Sequence, residues 1–291
     1  IEFAGDGEID PDQADVFRDR MLGYMTKAIR EAKRRSSWIA PDEAYEAGLT
    51  EFVTRVLNTR KANPFIADFR GFQERVAPVG MIYGLAQTTI KLTVPGVPDL
   101  YQGCELWDLS LVDPDNRRPV DFALRAQHLR DIRASLAEQG AAATARQLLE
   151  RWLDGVVKLY LVWRLLDLRG REQSLFLGAD YHPAEAVGAR GNQLCAFVRT
   201  NAGRSMLVVV PRLVAKIMDR LDGHPLGDAA WGDTKIVLPE EVQAGGQWVN
   251  VLTDEACTAE PDVNGKAGFS VGSLLQTFPI AVLVSAGPDA A

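Results

Sequence analysis

The sequence predicts an α+β chain in two successive parts, helix-rich over residues 1–171 and an antiparallel β-domain over 172–291. Three observations predict it. Apolar residues recur at helical spacing through most of the first part. One short strand-like run, "PDLYQG", is followed by a long polar loop and then more helices, which is the pattern of a (β/α) barrel unit. Beyond Arg171 the helical period gives way to short runs rich in β-branched and aromatic residues.

The elements follow in order. Val16, Phe17, Met21, Tyr24, Met25, Ala28 and Ile29 recur at three- and four-residue steps and predict an amphipathic helix over about 10–35. "SSWIAP" breaks it, and Pro41 stands where a new helix can start. "PDEAYEAGLTEFVTRVLNTR" predicts a second helix, with acids in its first turn and Arg60 just past its end, as the helix dipole prefers. After a turn at Asn63 and Pro64, "FIADFRGFQERVAPVGMIYGLAQTTIKLTV" predicts a long helical stretch interrupted near Pro78. Pro and Gly then bracket a short apolar run, which predicts a buried strand at about 97–102. Helical spacing resumes in "FALRAQHLRDIRASLAEQ" and in "ARQLLERWLDGVVKLYLVWRLLDLRG", the latter apolar enough for a buried helix. The strand-like runs of the second part are "LCAFVRT", "SMLVVVPRLVA", "TKIVLPEE", "QWVNVLT" and "FPIAVLVSA", with turn signals such as "NAGR" between them.

Composition narrows the function. With 291 residues, 47% of them hydrophobic, the chain can bury a core. A net charge of -7 argues against a nucleic-acid surface, which needs a basic stripe to neutralise phosphates. The basic run "KAIREAKRRSS" alternates with apolar residues and reads as a solvated helix face. Cys104, Cys195 and Cys257 are odd in number and far apart, unlike a disulfide scaffold or a zinc site, and fit a reducing cytoplasm. No apolar run is long enough to span a bilayer, and the acidic start "IEFAGDGEID" lacks the pattern of a signal peptide. The expectation is a cytoplasmic protein without membrane or nucleic-acid partners.

No phosphate loop, dinucleotide fingerprint or G-x-S-x-G elbow is present, and His128, His182 and His224 form no pair at metal spacing. Neither a cofactor nor a metal is expected. Carboxylates remain. The stretch "PGVPDLYQGCELWDLSLVDPDNRRPVD", residues 95–121, carries six acids, Tyr101, Trp107 and two adjacent arginines. Such a mixture suits a wall for a neutral ligand with many hydroxyls. Glu105, Asp108, Asp113 and Asp115 can accept hydrogen bonds from a sugar, Arg117 and Arg118 can brace those acids or donate to ring oxygens, and Trp107 can stack on a pyranose face. The blander reading is a loop stapled by acid–arginine pairs, with Trp107 as a plug and "DPDN" as a β-turn. Trp38 poses the same choice between lining a cleft and anchoring a helix end. Trp152 and Trp163 sit at apolar helical positions and read as core. Trp231 and Trp248 fall in the β-domain, where a surface aromatic can bind glucan but a core position is the commoner home.

"KLTVPGVPDLYQGCELWDLSLVDPDNRRPVDF" closely resembles the late-barrel segment of the maltooligosyltrehalose synthase family, in the α-amylase clan (glycoside hydrolase family 13). The resemblance extends upstream to "REAKRRSSWIAPDEAYE" and downstream to "VVVPRLVA", "WGDTKIVLP" and "FPIAVLV". It implies that residues 1–171 are the end of a catalytic (β/α)8 TIM barrel, with "PDLYQG" its last strand, and that 172–291 form a sandwich-like antiparallel domain. It also implies an isomerase of trehalose biosynthesis, which turns the reducing-end α-1,4 bond of a maltooligosaccharide into an α,α-1,1 bond by retaining intramolecular transglycosylation. The family's catalytic Asp, Glu and Asp lie on earlier strands, and no counterpart of their motifs stands ahead of Pro95. Together with the start at Ile1, this gives the expectation of a C-terminal fragment, without catalytic residues and silent alone, whose partners are the maltooligosaccharide and the N-terminal remainder of the same polypeptide. Trp38, Gln102, Glu105, Trp107, Asp108, Asp113, Asn116, Arg117 and Arg118 are then the candidates for contacting substrate or bracing its cleft. The competing readings are an α-glucan hydrolase or 4-α-glucanotransferase fragment, and a glucan-binding or interaction module working through its β-domain.

Overall fold

The computed structural model describes residues 9–218, 223–242, 247–261 and 265–285; the acidic start of the chain up to Glu8 lies outside them. The chain is α+β, with antiparallel sheets, and divides into two compact units, Ile1–Ala77 with Asp108–Val120, and Pro78–Trp107 with Asp121–Ala291.

The first unit holds α1 (Pro11–Ala32), α2 (Glu43–Val56) and the opening turns of α3 (Pro64–Thr93). Each start is written in the sequence. Asp10 caps α1 by accepting from the backbone N–H of Asp12 at 3.0 Å, with Pro11 at the first helical position. Asp42 caps α2 by accepting from Tyr45 N–H at 3.0 Å, and Glu43 and Glu46 fill its acidic first turn. Among the described residues of this unit only Ala14, Ser36 and Val53 are buried.

α3 differs from expectation. It runs unbroken through Pro78, which is buried. A helical proline forfeits one ladder hydrogen bond. Here the turns that follow it are locked in a core by Met81, Ile82, Leu85 and Leu92. The buried hydroxyls of Thr88, Thr89 and Thr93 bond back to the carbonyls of Gly84, Leu85 and Thr89, so none of these three hydroxyls is stranded. At the C-terminal end, where carbonyls lack helical partners, Arg169 donates to Leu92 O and Gly96 O, and Arg199 donates to Thr93 O.

Residues 97–102, expected as a strand, join no ladder among the described residues, and Val97 is almost wholly exposed. A parallel barrel strand is held by ladders to its neighbours, and the first strand among the described residues begins only at Asp180.

The rest of the second unit comprises α4 (Phe122–Glu150), α5 (Val156–Arg171), α6 (Gln173–Leu177), β1 (Asp180–Pro183), β2 (Glu185–Val187), β3 (Leu194–Asn201) and β4 (Arg204–Pro211). There follow α7 (Gly227–Trp231), β5 (Lys235–Val237), β6 (Trp248–Asn250), β7 (Ala256–Cys257), β8 (Glu260–Pro261), β9 (Ala267–Ser270), α8 (Val271–Leu274) and β10 (Ala281–Ser285). α4 breaks at Gly140, whose φ of 80° is open to glycine and costly for other residues. α5 is the buried helix its composition predicts, and Tyr160 anchors it through a 2.5 Å hydrogen bond to Leu252 O.

One sheet orders β1-β3-β4-β10-β6-β7 and the other β2-β5-β9-β8, all pairs antiparallel. β4 lies between β3 and β10 and is buried on both faces, which its unbroken run "MLVVV" matches. Trp248 of the first sheet meets Phe269 of the second edge to face at 5.7 Å. Among the described residues no helix is long and apolar enough to cross a membrane.

Candidate functional site

The sequence-derived candidates fall into separate clusters. In the first unit the loop 108–120 winds around Asp115. Its carboxylate accepts from Arg20 Nε and Nη2, both at 2.9 Å, and from the backbone N–H of Leu111 at 2.7 Å. The Arg20 guanidinium, followed by the Leu111 N–H, holds this carboxyl below the usual carboxylate range. Arg118 closes the turn by donating from Nε to Asp115 O at 3.1 Å and from Nη2 to Ser110 Oγ at 3.1 Å. Asp113 is bound from two sides: Lys27 Nζ donates to its carbonyl at 2.6 Å, and Arg117 pairs with its carboxylate. Asn116 sits in the 3-10 turn Asp115–Arg117, and Asp108 accepts from Ser110 N–H at 3.0 Å. The outcome is a braced turn with the Asp115 side chain enclosed at 9% exposure, Asp113 at 42%, and the Arg117 and Arg118 side chains 72% and 47% exposed.

Trp38 stands on the loop between α1 and α2. It is 57% exposed, with the Arg30 guanidinium 4.9 Å from its ring centroid. Arg30 is aimed by a two-pronged bond to Glu46, at 2.8 and 2.7 Å, and Ser36 donates to the same carboxylate. These bonds, Arg30 first, lower the Glu46 pKa to about 2. One indole face is thus taken by a cation and the remainder meets solvent.

Gln102, Glu105 and Trp107 belong to the second unit. Gln102 is exposed. Glu105 accepts from Arg125 Nε at 3.1 Å, and Arg125 also donates to Gly103 O and Asp121 O, tying the loop to the start of α4. Trp107 donates its indole N–H to Trp152 O at 2.6 Å, and Lys158 Nζ lies 5.8 Å from its ring centroid. Trp107 presses against Gly155, where a Cβ would stand 2.8 Å from the Trp107 backbone N and 3.2 Å from its indole Cδ1.

Sequence reasoning missed Arg20, Lys27, Arg30 and Arg125, which hold these loops in place. A signal was present: Arg20 and Lys27 are seven apart, hence on one face of α1, ahead of a loop dense in acids. Trp152 is core as expected, whereas Trp163 is half-buried with Arg133 5.4 Å from its ring centroid. Trp231 and Trp248 have no exposed surface, so neither can hold a glucan. Among the described residues no three His, Cys, Asp or Glu side chains gather as a metal site.

Chemically, the braced turn offers guanidinium donors and carboxylate acceptors for hydroxyl groups. Asp15, Glu46 and Asp115 all have their pKa lowered by arginines, the opposite of the raised pKa that a general acid needs.

The same stretch recurs in known proteins. Two curated proteins from strains of Mycobacterium tuberculosis, each named as a maltooligosyl trehalose synthase, are 34% identical to it over 238 residues, 82% of this chain and 26% of the relative. The maltooligosyltrehalose synthase solved from Arthrobacter ramosus superposes with a TM-score of 0.69 at 31% identity, across 94% of this chain and 32% of that one. The chain matches the C-terminal part of the maltooligosyl trehalose synthases. A further solved maltooligosyl trehalose synthase agrees, at a TM-score of 0.61 and 27% identity over 93% of this chain and 30% of that one. The chain spans about a quarter of the length of the curated synthases it matches. No family model matches it.

Proposed function

We propose that the chain is the C-terminal part of an enzyme that converts the reducing-end α-1,4 bond of a maltooligosaccharide into an α,α-1,1 bond. The observation that carries this reading is the agreement of sequence and fold over one stretch, 82% of the chain in one comparison and 94% in the other. In a retaining transfer a carboxylate displaces the terminal glucose, and that glucose must stay, turn and attack through its anomeric hydroxyl before water does. The attacking and proton-shuttling carboxylates then belong to polypeptide ahead of this chain. What the chain contributes is a rigid wall. Arg117 and Arg118 present guanidinium N–H groups from a turn that Arg20 and Lys27 lock, so donors are held in place without reorganisation.

The first test follows reducing ends in maltopentaose. With this chain alone the reducing power stays constant. With a synthase-length polypeptide carrying the chain it falls while chain length is kept. Rising reducing power would instead mark a hydrolase, and redistributed chain lengths at constant reducing power a glucanotransferase. In the synthase-length polypeptide Arg117→Ala and Arg118→Ala should each lower kcat/KM by roughly 10- to 100-fold, the worth of one charged hydrogen bond. Unchanged kinetics for both would remove these residues from the site.

A further inference from the structure

The first unit carries an apolar groove of about 430 Å³, walled by α1, α2 and the opening of α3. Phe17 and Met21 come from α1, Phe52 and Val56 from α2, and Phe65 and Phe69 from α3. Phe52, Phe65 and Phe69 are 62%, 48% and 53% exposed, and only three of the unit's described residues are buried. The helices have turned large aromatic side chains toward a space that the described residues do not fill, although burying each is worth about 1.5–3 kcal/mol. The groove is no sugar site. Thr59, Arg70 and Gln73 are its main polar wall residues, and hydroxyls buried there without partners would be penalised.

We propose that the occupant is polypeptide ahead of this chain in the synthase-length protein, which lays an apolar segment into the groove. This rests on the reading above. Two observations favour that occupant over a second copy. About three quarters of the relatives' length lies outside the stretch matched. And Ile9, which lines the groove, is only eight residues from Ile1, so polypeptide joined there is tethered within about 29 Å of the wall. A tether of that length gives a local concentration on the order of millimolar, which a separate molecule does not match at micromolar protein.

The test is site-resolved thiol labelling of Phe69→Cys and, on a different helix, Phe52→Cys, each in this chain and in the synthase-length polypeptide. The second position keeps the test standing should one variant fail to fold. Labelling should be at least about 10-fold slower in the longer polypeptide and independent of concentration in this chain. Equal rates in the two would overturn the proposal, and so would protection in this chain that grows with its concentration, which marks a second copy. The reducing-end assay on the unsubstituted longer polypeptide reports separately: protected cysteines in a protein that does not form α,α-1,1 bonds would refute the activity and leave the groove's occupant standing.

Discussion

At the scale of single residues, ionic bracing decides where stability resides. Asp115 and Arg20 have side chains only 9% and 11% exposed, so Asp115→Ala leaves a largely desolvated guanidinium without that carboxylate and should cost about 3 kcal/mol. Arg117→Ala, at a side chain 72% exposed, should stay within about 0.5 kcal/mol. Urea unfolding of the two variants checks the contrast, and equal losses would deny Asp115 its central place in the loop. Glu46 makes a prediction in pH. Its pKa is lowered from 4.5 to about 2, so its contribution is complete above 4.5 and disappears as pH falls through about 2. The melting temperature should therefore decline across that window, and Glu46→Gln should flatten the decline; an identical acid slope in the variant would show that other groups set it. In the sequence these roles were only half visible. The acids and arginines of 113–118 could be seen, but not their direction, because Arg20 comes from 95 residues away. Trp107 illustrates the same limit: its hydrogen bond goes to Trp152, and nothing local marks that meeting.

At the scale of elements, what was legible is what depends on local periodicity and end signals. α1 and α2 begin where Asp10 and Asp42 cap them, α4 breaks at Gly140, β10 falls within its β-branched run, and β3 and β4 each overrun theirs by one residue at the turn between them. What escaped depends on partners. The run at 97–102 has the composition of a strand, yet a strand exists only through its neighbours, and no ladder forms there. Pro78 has the local signature of a break, but tertiary burial of the turns after it carries α3 across. The corner before α5 gives a testable case of element fixing element. Gly155 has a φ of 79°, and a Cβ there would lie 2.8 Å from Trp107 N and 3.2 Å from Leu106 Cβ. Gly155→Ala combines left-handed strain with overpacking and should cost about 2–4 kcal/mol. Gly170→Ala, on the exposed side of α5 with open space at its Cβ, should stabilise by up to about 1 kcal/mol. Opposite shifts in their urea midpoints are the expected result, and shifts of the same sign would mean that the turn at Gly155 can move.

At the scale of the whole molecule, burial is distributed very unevenly. β4 and β10 lie in continuous ladders with every residue but Arg204 buried, whereas α1 and α2 each have a single buried residue. Opening free energy follows buried apolar contact and protected hydrogen bonds, so the two helices must open far more readily than the central strands. Amide hydrogen exchange should show α1 and α2 exchanging at least about 100-fold faster than β4 and β10, equivalent to a gap of about 2.7 kcal/mol. Such a gap is what a partly walled structure predicts: a helix pair with its aromatic side chains still facing an open groove has formed its backbone bonds without gaining the burial that would hold them closed. In the synthase-length polypeptide the exchange of α1 and α2 should slow toward that of the strands, while β4 and β10, already buried, should change little. Uniform protection in this chain would show instead that the ion pairs among Asp15, Arg18, Arg30, Glu46 and Arg60 hold the helices closed without a core. High salt would then distinguish the two cases, because it screens exposed pairs and leaves burial intact.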